Sequence, residues 1–311
     1  MTPIQEFVYE GGVAQRSEGF GAVRSPSFAF VTLCARTDFD RCRLLLNSME
    51  DRVDRAIPHY LAVDRLDVGA FGEFARDNVR VVAVEDILPW WIRRFPGAKK
   101  WWASLKSLPI RNWLLQQYVK LSLPVQAAED VFLFVDTDVA FVRPFDPRSF
   151  VRDGKVRLFR VPGANPVEHA QWHRTAGKLL GLPVQDYYGA SYIGNIVSWR
   201  KDCVRALHER IERVSGRPWL EAVARHWHLS EYVLYGAHAE HVLGDDAGHY
   251  YDDLVVCHAR WKPDPMTDDE LAAFFGGLRE HHVAIMLTGK ARVSPDRYAR
   301  YVLRQNAADA R

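Results

Sequence analysis

The 311-residue sequence holds no Cys-x-x-Cys pair, no Gly-x-Gly-x-x-Gly, no Walker-type glycine–lysine loop and no apolar run near membrane-span length. Its four cysteines, Cys34, Cys42, Cys203 and Cys257, are scattered. That pattern argues against a disulfide framework and for the reduced thiols of a cytosolic protein. Without the glycine motifs, dinucleotide and P-loop chemistry lose their usual signatures. The N-terminus lacks the basic and apolar regions of a signal peptide, and residues 1–25 read as a loosely held leader. No apolar stretch is long enough for a spanning helix. The formal net charge of +2 gives no footprint for a nucleic-acid partner. Internal repeats and low-complexity linkers are also missing.

What is present centres on Val131–Asp146, VFLFVDTDVAFVRPFD. Val131–Val135 is apolar without a break and, apart from Leu133, β-branched or aromatic. This reads as a strand buried on both faces, as in a parallel α/β sheet. It runs directly into Asp136-Thr137-Asp138, and such sheets bind ligands at the carboxyl ends of their strands. Side chains alternate along an extended backbone, so Asp136 and Asp138 would point the same way and share one cation. The plainer reading makes them turn formers.

The chain divides into regular elements around that stretch. Strands are expected over 28–33, 59–63, 79–84 and 156–161, with a broken strand over 191–199 interrupted at Gly194-Asn195. Helices are expected over 39–55, 110–122 (closed by Pro124), 200–214, 268–280 and at the C-terminus around Tyr298, Tyr301 and Val302. In the 110–122 helix, Ile110, Trp113, Leu114, Tyr118 and Leu121 form the buried stripe, which leaves Gln116, Gln117 and Lys120 off it. Lys120 could reach a diphosphate or be a solvated charge. Ser230 reads as an N-cap with Glu231 in the first turn. A short apolar strand is expected over 254–257, followed by Cys257-His258-Ala259-Arg260-Trp261-Lys262-Pro263.

Trp90–Trp102 (WWIRRFPGAKKWW) sets two tryptophan pairs around basic residues, in a chain with ten tryptophans. The segment suits core aromatics, a stacking surface or flap, or a peripheral anchor at the inner membrane face.

From Phe28 to about Pro263 the layout resembles a GT-A fold nucleotide-sugar glycosyltransferase, and within it a bacterial family of putative glycosyltransferases of unassigned function. The residues that carry the resemblance are Asp136-Thr137-Asp138, WLLQQYVKL before it, YIGNIVSW, SEYVLYG and CHARWKP. The resemblance implies one Rossmann-like α/β domain over about 26–305 with a mixed central sheet flanked by helices. A nucleotide-binding half would cover 26–150 and an acceptor half 151–305. It implies Mn²⁺ or Mg²⁺ on Asp136, Asp138 and His258. A nucleoside diphosphate sugar, UDP-linked first, would be held by Thr32, Arg36, Asp64, Lys120, Asp136 and Lys262. Glu231, an acidic residue in an apolar setting, is the candidate base or binding group toward a saccharide, lipid-linked or small-molecule acceptor; its plainer role is to complement the helix dipole. In similar retaining enzymes the late motif is His-x-x-Gly-x-x-Lys-Pro-Trp; here the glycine is missing and the His258–Lys262 spacing is shorter. Two carboxylates, an imidazole and phosphate oxygens suit a hard divalent cation. Two other classes remain open: a nucleotidyltransferase or metal-dependent phosphohydrolase using the same Asp-x-Asp, and a non-catalytic membrane- or polyanion-binding module. Nucleotidyltransferases usually carry a glycine-rich loop after the first strand, and CARTDFDR has no glycine.

Overall fold

A computed structural model describes residues 25–95, 97, 101–164 and 167–303. The expected leader falls outside the described residues except for Ser25, as do four residues of the tryptophan-rich segment. The centre is a five-stranded sheet of β1 (Phe28–Leu33), β2 (His59–Val63), β3 (Val79–Ala83), β4 (Val131–Val135) and β5 (Ile196–Arg200), in the order β5-β4-β1-β2-β3. β4, β1, β2 and β3 run parallel and β5 antiparallel to β4, so the fold is mixed α/β with helices on both faces.

The unbroken apolar strands follow from this two-sided cover. Ala29, Val31, Phe132 and Phe134 face one cluster, shared with helices α2 (Asn112–Gln126), α3 (Lys201–Ser215) and α4 (Glu231–His238). Phe28, Phe30, Leu133 and Val135 face the other, shared with α1 (Phe39–Met49) and the strand Val139–Phe141. The chain adds β2 and β3 on one side of β1 and then places β4 on its other side. A crevice opens at the carboxyl ends of strands where the order reverses in this way.

Several sequence expectations shift. α1 stops at Met49 rather than near Arg55, because Arg52 folds back and donates to the Ser48 carbonyl at 3.1 Å and to the Val302 carbonyl at 2.8 Å. Pro124 lies inside α2 and does not end it. In the last turn it removes the donor that would meet the Lys120 carbonyl, while Ala127 N–H still bonds Leu123 O at 3.1 Å. Ile110, Leu114, Tyr118 and Leu121 are buried and Gln116 is exposed as expected, but Trp113 is half exposed and Gln117 and Lys120 are buried. α2 is enclosed by β4, α3 and α4 together, so its buried arc is wider than one face. The expected strand at 254–257 begins instead at Cys257 and runs to Arg260, since Asp252 accepts from Leu254 N–H at 3.0 Å and turns the chain there.

Candidate active site

The site grows from the exit of β4. Asp136 to Asp138 form a turn, closed by Val139 N–H to Asp136 O at 3.2 Å, so the extended-backbone argument for parallel carboxylates does not hold. Asp136 instead reaches Lys120 on α2, Nζ to Oδ1 at 3.6 Å. Asp138 turns to the far loop, where the Gly289 N–H donates to its Oδ2 at 3.1 Å. The two charges still feel each other. Burial, and after it the charge of Asp136, raises Asp138 to about 6, against the pull of the Gly289 N–H and Arg41.

Lys120 is the hub. It is 7 % exposed and sits 3.1 Å from Glu231 Oε1, 2.9 Å from Tyr232 Oη and 4.6 Å from the Tyr232 ring centre. Burial alone would lower the ammonium. The Tyr232 oxygen, Asp136 and Glu231 outweigh that effect and hold it well above the usual lysine value. Glu231 is placed by its helix: the Ser230 side chain caps α4 by accepting from Val233 N–H at 3.4 Å. Gln117 Oε1 accepts from Glu231 N–H at 3.2 Å, which pins the start of α4 to α2. The Gln117 Nε2 group is buried with no hydrogen-bond partner among the described residues. The structure thus brings Lys120, Asp136 and Glu231 together from three distant segments.

Beside them, a cleft of about 570 Å³ lies over the carboxyl ends of β1 and β2. Arg36 and Asp64 line it with Leu66, Arg94, Trp102 and Asn112. Asp64 accepts from Leu66 N–H at 3.0 Å and pairs with Arg94. Trp102 Nε1 donates to Asn112 Oδ1 at 3.0 Å, so the small sheet Ile92–Arg94, Trp101–Ser104 and Ile110–Arg111 forms one wall. This decides the tryptophans one by one. Trp91 and Trp102 are core, Trp101 lies tilted against Trp227 at 6.3 Å, and Trp90 is 64 % exposed.

Three expected residues are placed elsewhere. Thr32 is wholly buried; its hydroxyl donates to Val135 O at 2.8 Å and meets His59 Nε2 at 2.9 Å, tying β1 to β4 and β2. It is a core residue and not a nucleotide contact, because it lies before the strand end on the face turned to α1. His258 stacks on Phe274 at 4.4 Å and lies 5.0 Å from His282. The charges of Asp138 and Asp136 reach Cys257, its neighbour in the strand, and alternation turns His258 the other way. Among the described residues no group of three His, Cys, Asp or Glu could hold a metal. Lys262 is exposed, and its carbonyl accepts from Arg260 Nη1 at 3.0 Å. Sequence reasoning missed Gln117 and Tyr232, and it missed the Thr288-Gly289-Lys290 loop. A glycine–lysine pair directly after an apolar strand was the available signal for that loop.

A family profile described as "Family of unknown function (DUF6492)" matches residues 29–278. No curated protein matches the chain in sequence. Among solved structures, it is similar to the apo WbbM bifunctional glycosyltransferase at 13% identity and a TM-score of 0.46, covering 92% of this chain. The chain spans 50% of that protein's length. It is also similar to apo mouse xyloside xylosyltransferase 1 at 9% identity and a TM-score of 0.45, covering 86% of this chain and 99% of that one.

Proposed function

The chain belongs to the DUF6492 family, and from the geometry of its site we propose that it is a GT-A type glycosyltransferase using a nucleoside diphosphate sugar. One observation carries this reading. Asp136 and Glu231 converge on the buried ammonium of Lys120, and Asp138 lies close enough to Asp136 to feel its charge, with a cleft at the carboxyl ends of the neighbouring strands β1 and β2. Such an excess of carboxylate needs a cation from outside.

The donor set fits a hard divalent ion: Asp136 and Asp138 offer carboxylate oxygens and leave the rest of a shell to phosphate and water, as Mn²⁺ and Mg²⁺ accept. When bound, that ion would neutralise the diphosphate leaving group. The protein's own groups do the rest. The cleft takes the nucleoside, UDP in the first instance, between the small sheet and the Cys34–Thr37 turn, with Arg36 at its mouth. Lys120 fixes Glu231 and Asp136 relative to each other. Glu231 accepts the hydrogen bond and then the proton of the acceptor hydroxyl. The 26–150 half supplies the donor contacts and the 151–305 half supplies Glu231 and the acceptor.

A melting-temperature screen of nucleoside diphosphates and their sugars tests this. UDP with Mn²⁺ should stabilise the protein by several kcal/mol at about a thousand times Kd. No shift with any nucleotide, with or without Mn²⁺, would overturn it. Release of inorganic phosphate or pyrophosphate in place of nucleoside diphosphate would favour the phosphohydrolase or nucleotidyltransferase classes.

Peripheral membrane contact is a second reading, favoured by the exposure of Trp90, Phe95, Leu105 and Leu108 around the small sheet. No helix among the described residues is long and apolar enough to cross a membrane. Wild-type protein that stays in solution with anionic liposomes at low salt would remove this reading.

A further inference from the structure

On the other side of β4 from the nucleoside cleft lies a second, smaller cleft of about 230 Å³. One wall is the lead-in to β5. Ile196 pairs with Val135, so Asn195 comes level with the exit of β4 where the carboxylates begin. The facing wall is the strand Cys257–Arg260, whose Cys257 the charges of Asp138 and Asp136 reach. Phe159 closes the back. A Cβ on Gly194 would sit 3.0 Å from the Phe159 ring, so glycine there lets Asn195 come in close. At the rim, Trp261 is 61 % exposed.

Three features narrow the ligand. Asn195 is 9 % exposed and lines the cleft, yet among the described residues its buried Nδ2 has no hydrogen-bond partner. A buried amide donor left unpaired is costly and points to an acceptor oxygen absent from the apo chain. The cation in the wall, Arg157, is already taken by Asp252 at 2.8 Å and by the Leu254 carbonyl, so nothing here calls for an anionic ligand. The volume suits one six-membered sugar ring.

Resting on the donor reading above, we propose that this cleft binds the terminal, uncharged monosaccharide of the acceptor. The apolar face of the ring lies on Trp261 and a ring hydroxyl takes the Asn195 amide proton. The acceptor hydroxyl then approaches the Asp136–Glu231 side of β4 from the face opposite the nucleoside.

The test uses full-length protein and a set of methyl glycosides (glucose, galactose, mannose and N-acetylglucosamine series) in saturation-transfer NMR, with and without UDP and Mn²⁺. At least one glycoside should bind, and Trp261→Ala and Asn195→Leu should each weaken it by tenfold or more. Asn195→Leu should melt no lower than wild type, since the amide has no bond to lose. UDP melting shifts should persist in both variants. No glycoside binding, or binding indifferent to both substitutions, overturns the assignment even if UDP binds. Glycoside binding that depends on both residues, in a protein that ignores every nucleotide, would keep the cleft and overturn the donor reading instead.

Discussion

Lys120 and Arg157 are both buried cations, and their surroundings differ in one respect. Arg157 on the strand Lys155–Phe159 stacks over Phe150 at 4.7 Å and Phe159 at 5.5 Å and meets one carboxylate, Asp252. Burial would raise Asp252, but the Leu254 N–H and Arg157 hold it below the usual carboxylate range. Its charges close on themselves. Lys120 lies over Phe134 and Tyr232 in the same manner, yet two carboxylates, Asp136 and Glu231, meet it, and the charge of Asp136 also bears on Asp138. Asp138 is shifted the opposite way from Asp252, up to about 6. A balanced pair builds structure; an unbalanced cluster at the carboxyl end of a central strand is where a ligand is expected.

The sharpest way to break this contrast is at Glu231. Glu231→Gln should slow transfer by about 10²–10⁴-fold in single turnover while the nucleotide-dependent melting shift survives. A near-normal rate with a lowered melting temperature would make Glu231 an N-terminal helix residue and nothing more.

Next comes Lys120. Lys120→Met leaves two carboxylates uncompensated and should cost about 3–5 kcal/mol in urea unfolding, with loss of the nucleotide response. Asp252→Asn, in the closed pair, should cost about 1–2 kcal/mol and leave that response intact. If Asp252→Asn abolished nucleotide binding, the two regions would not be separable.

The smallest effect has the opposite sign. Because the folded pKa of Asp138 lies above the ordinary carboxyl value of 3.8, its protonated form stabilises the fold. That contribution is full below about pH 4 and is lost as pH rises through about 6. Asp138→Asn should therefore stabilise the metal-free protein by about 1–2 kcal/mol at pH 7.5, with the gain vanishing near pH 4. Mn²⁺ should raise the melting temperature of wild type and not of the variant. A variant less stable at pH 7.5 would mean that Asp138 is held by its Gly289 contact and is not strained.

Strands β1, β2 and β4 were readable in the sequence because burial on both faces leaves an unbroken apolar run. Lys120 and Glu231 could each be picked out, but not as partners: they are joined only when α2 and α4 meet across the end of β4. The CHARWKP segment was misread for a one-residue reason, since alternation gives Cys257 the side near the carboxylates and turns His258 onto Phe274. The cleft over β1 and β2 was half readable. Arg36 and Asp64 sit at strand exits, where sequence can point, while Arg94, Trp102 and Asn112 arrive on a side sheet whose position periodicity does not encode.

The pairing of β4 with β1 also governs how the protein folds. The Thr32–Val135 hydrogen bond and the ladder around it join residues 103 positions apart. Closing so long a loop is slow and comes after local helices and the β1–β2–β3 ladder can form. Until that closure, Asp136 has no fixed place relative to Arg36, Asp64 or the turn after β1. Partly folded chains therefore lack an assembled site, and a nucleotide bound as proposed would have nothing to grip on the way to the native state. Its stabilisation should act almost wholly on the rate of unfolding, lengthening the lifetime of the finished fold while leaving refolding as slow as before.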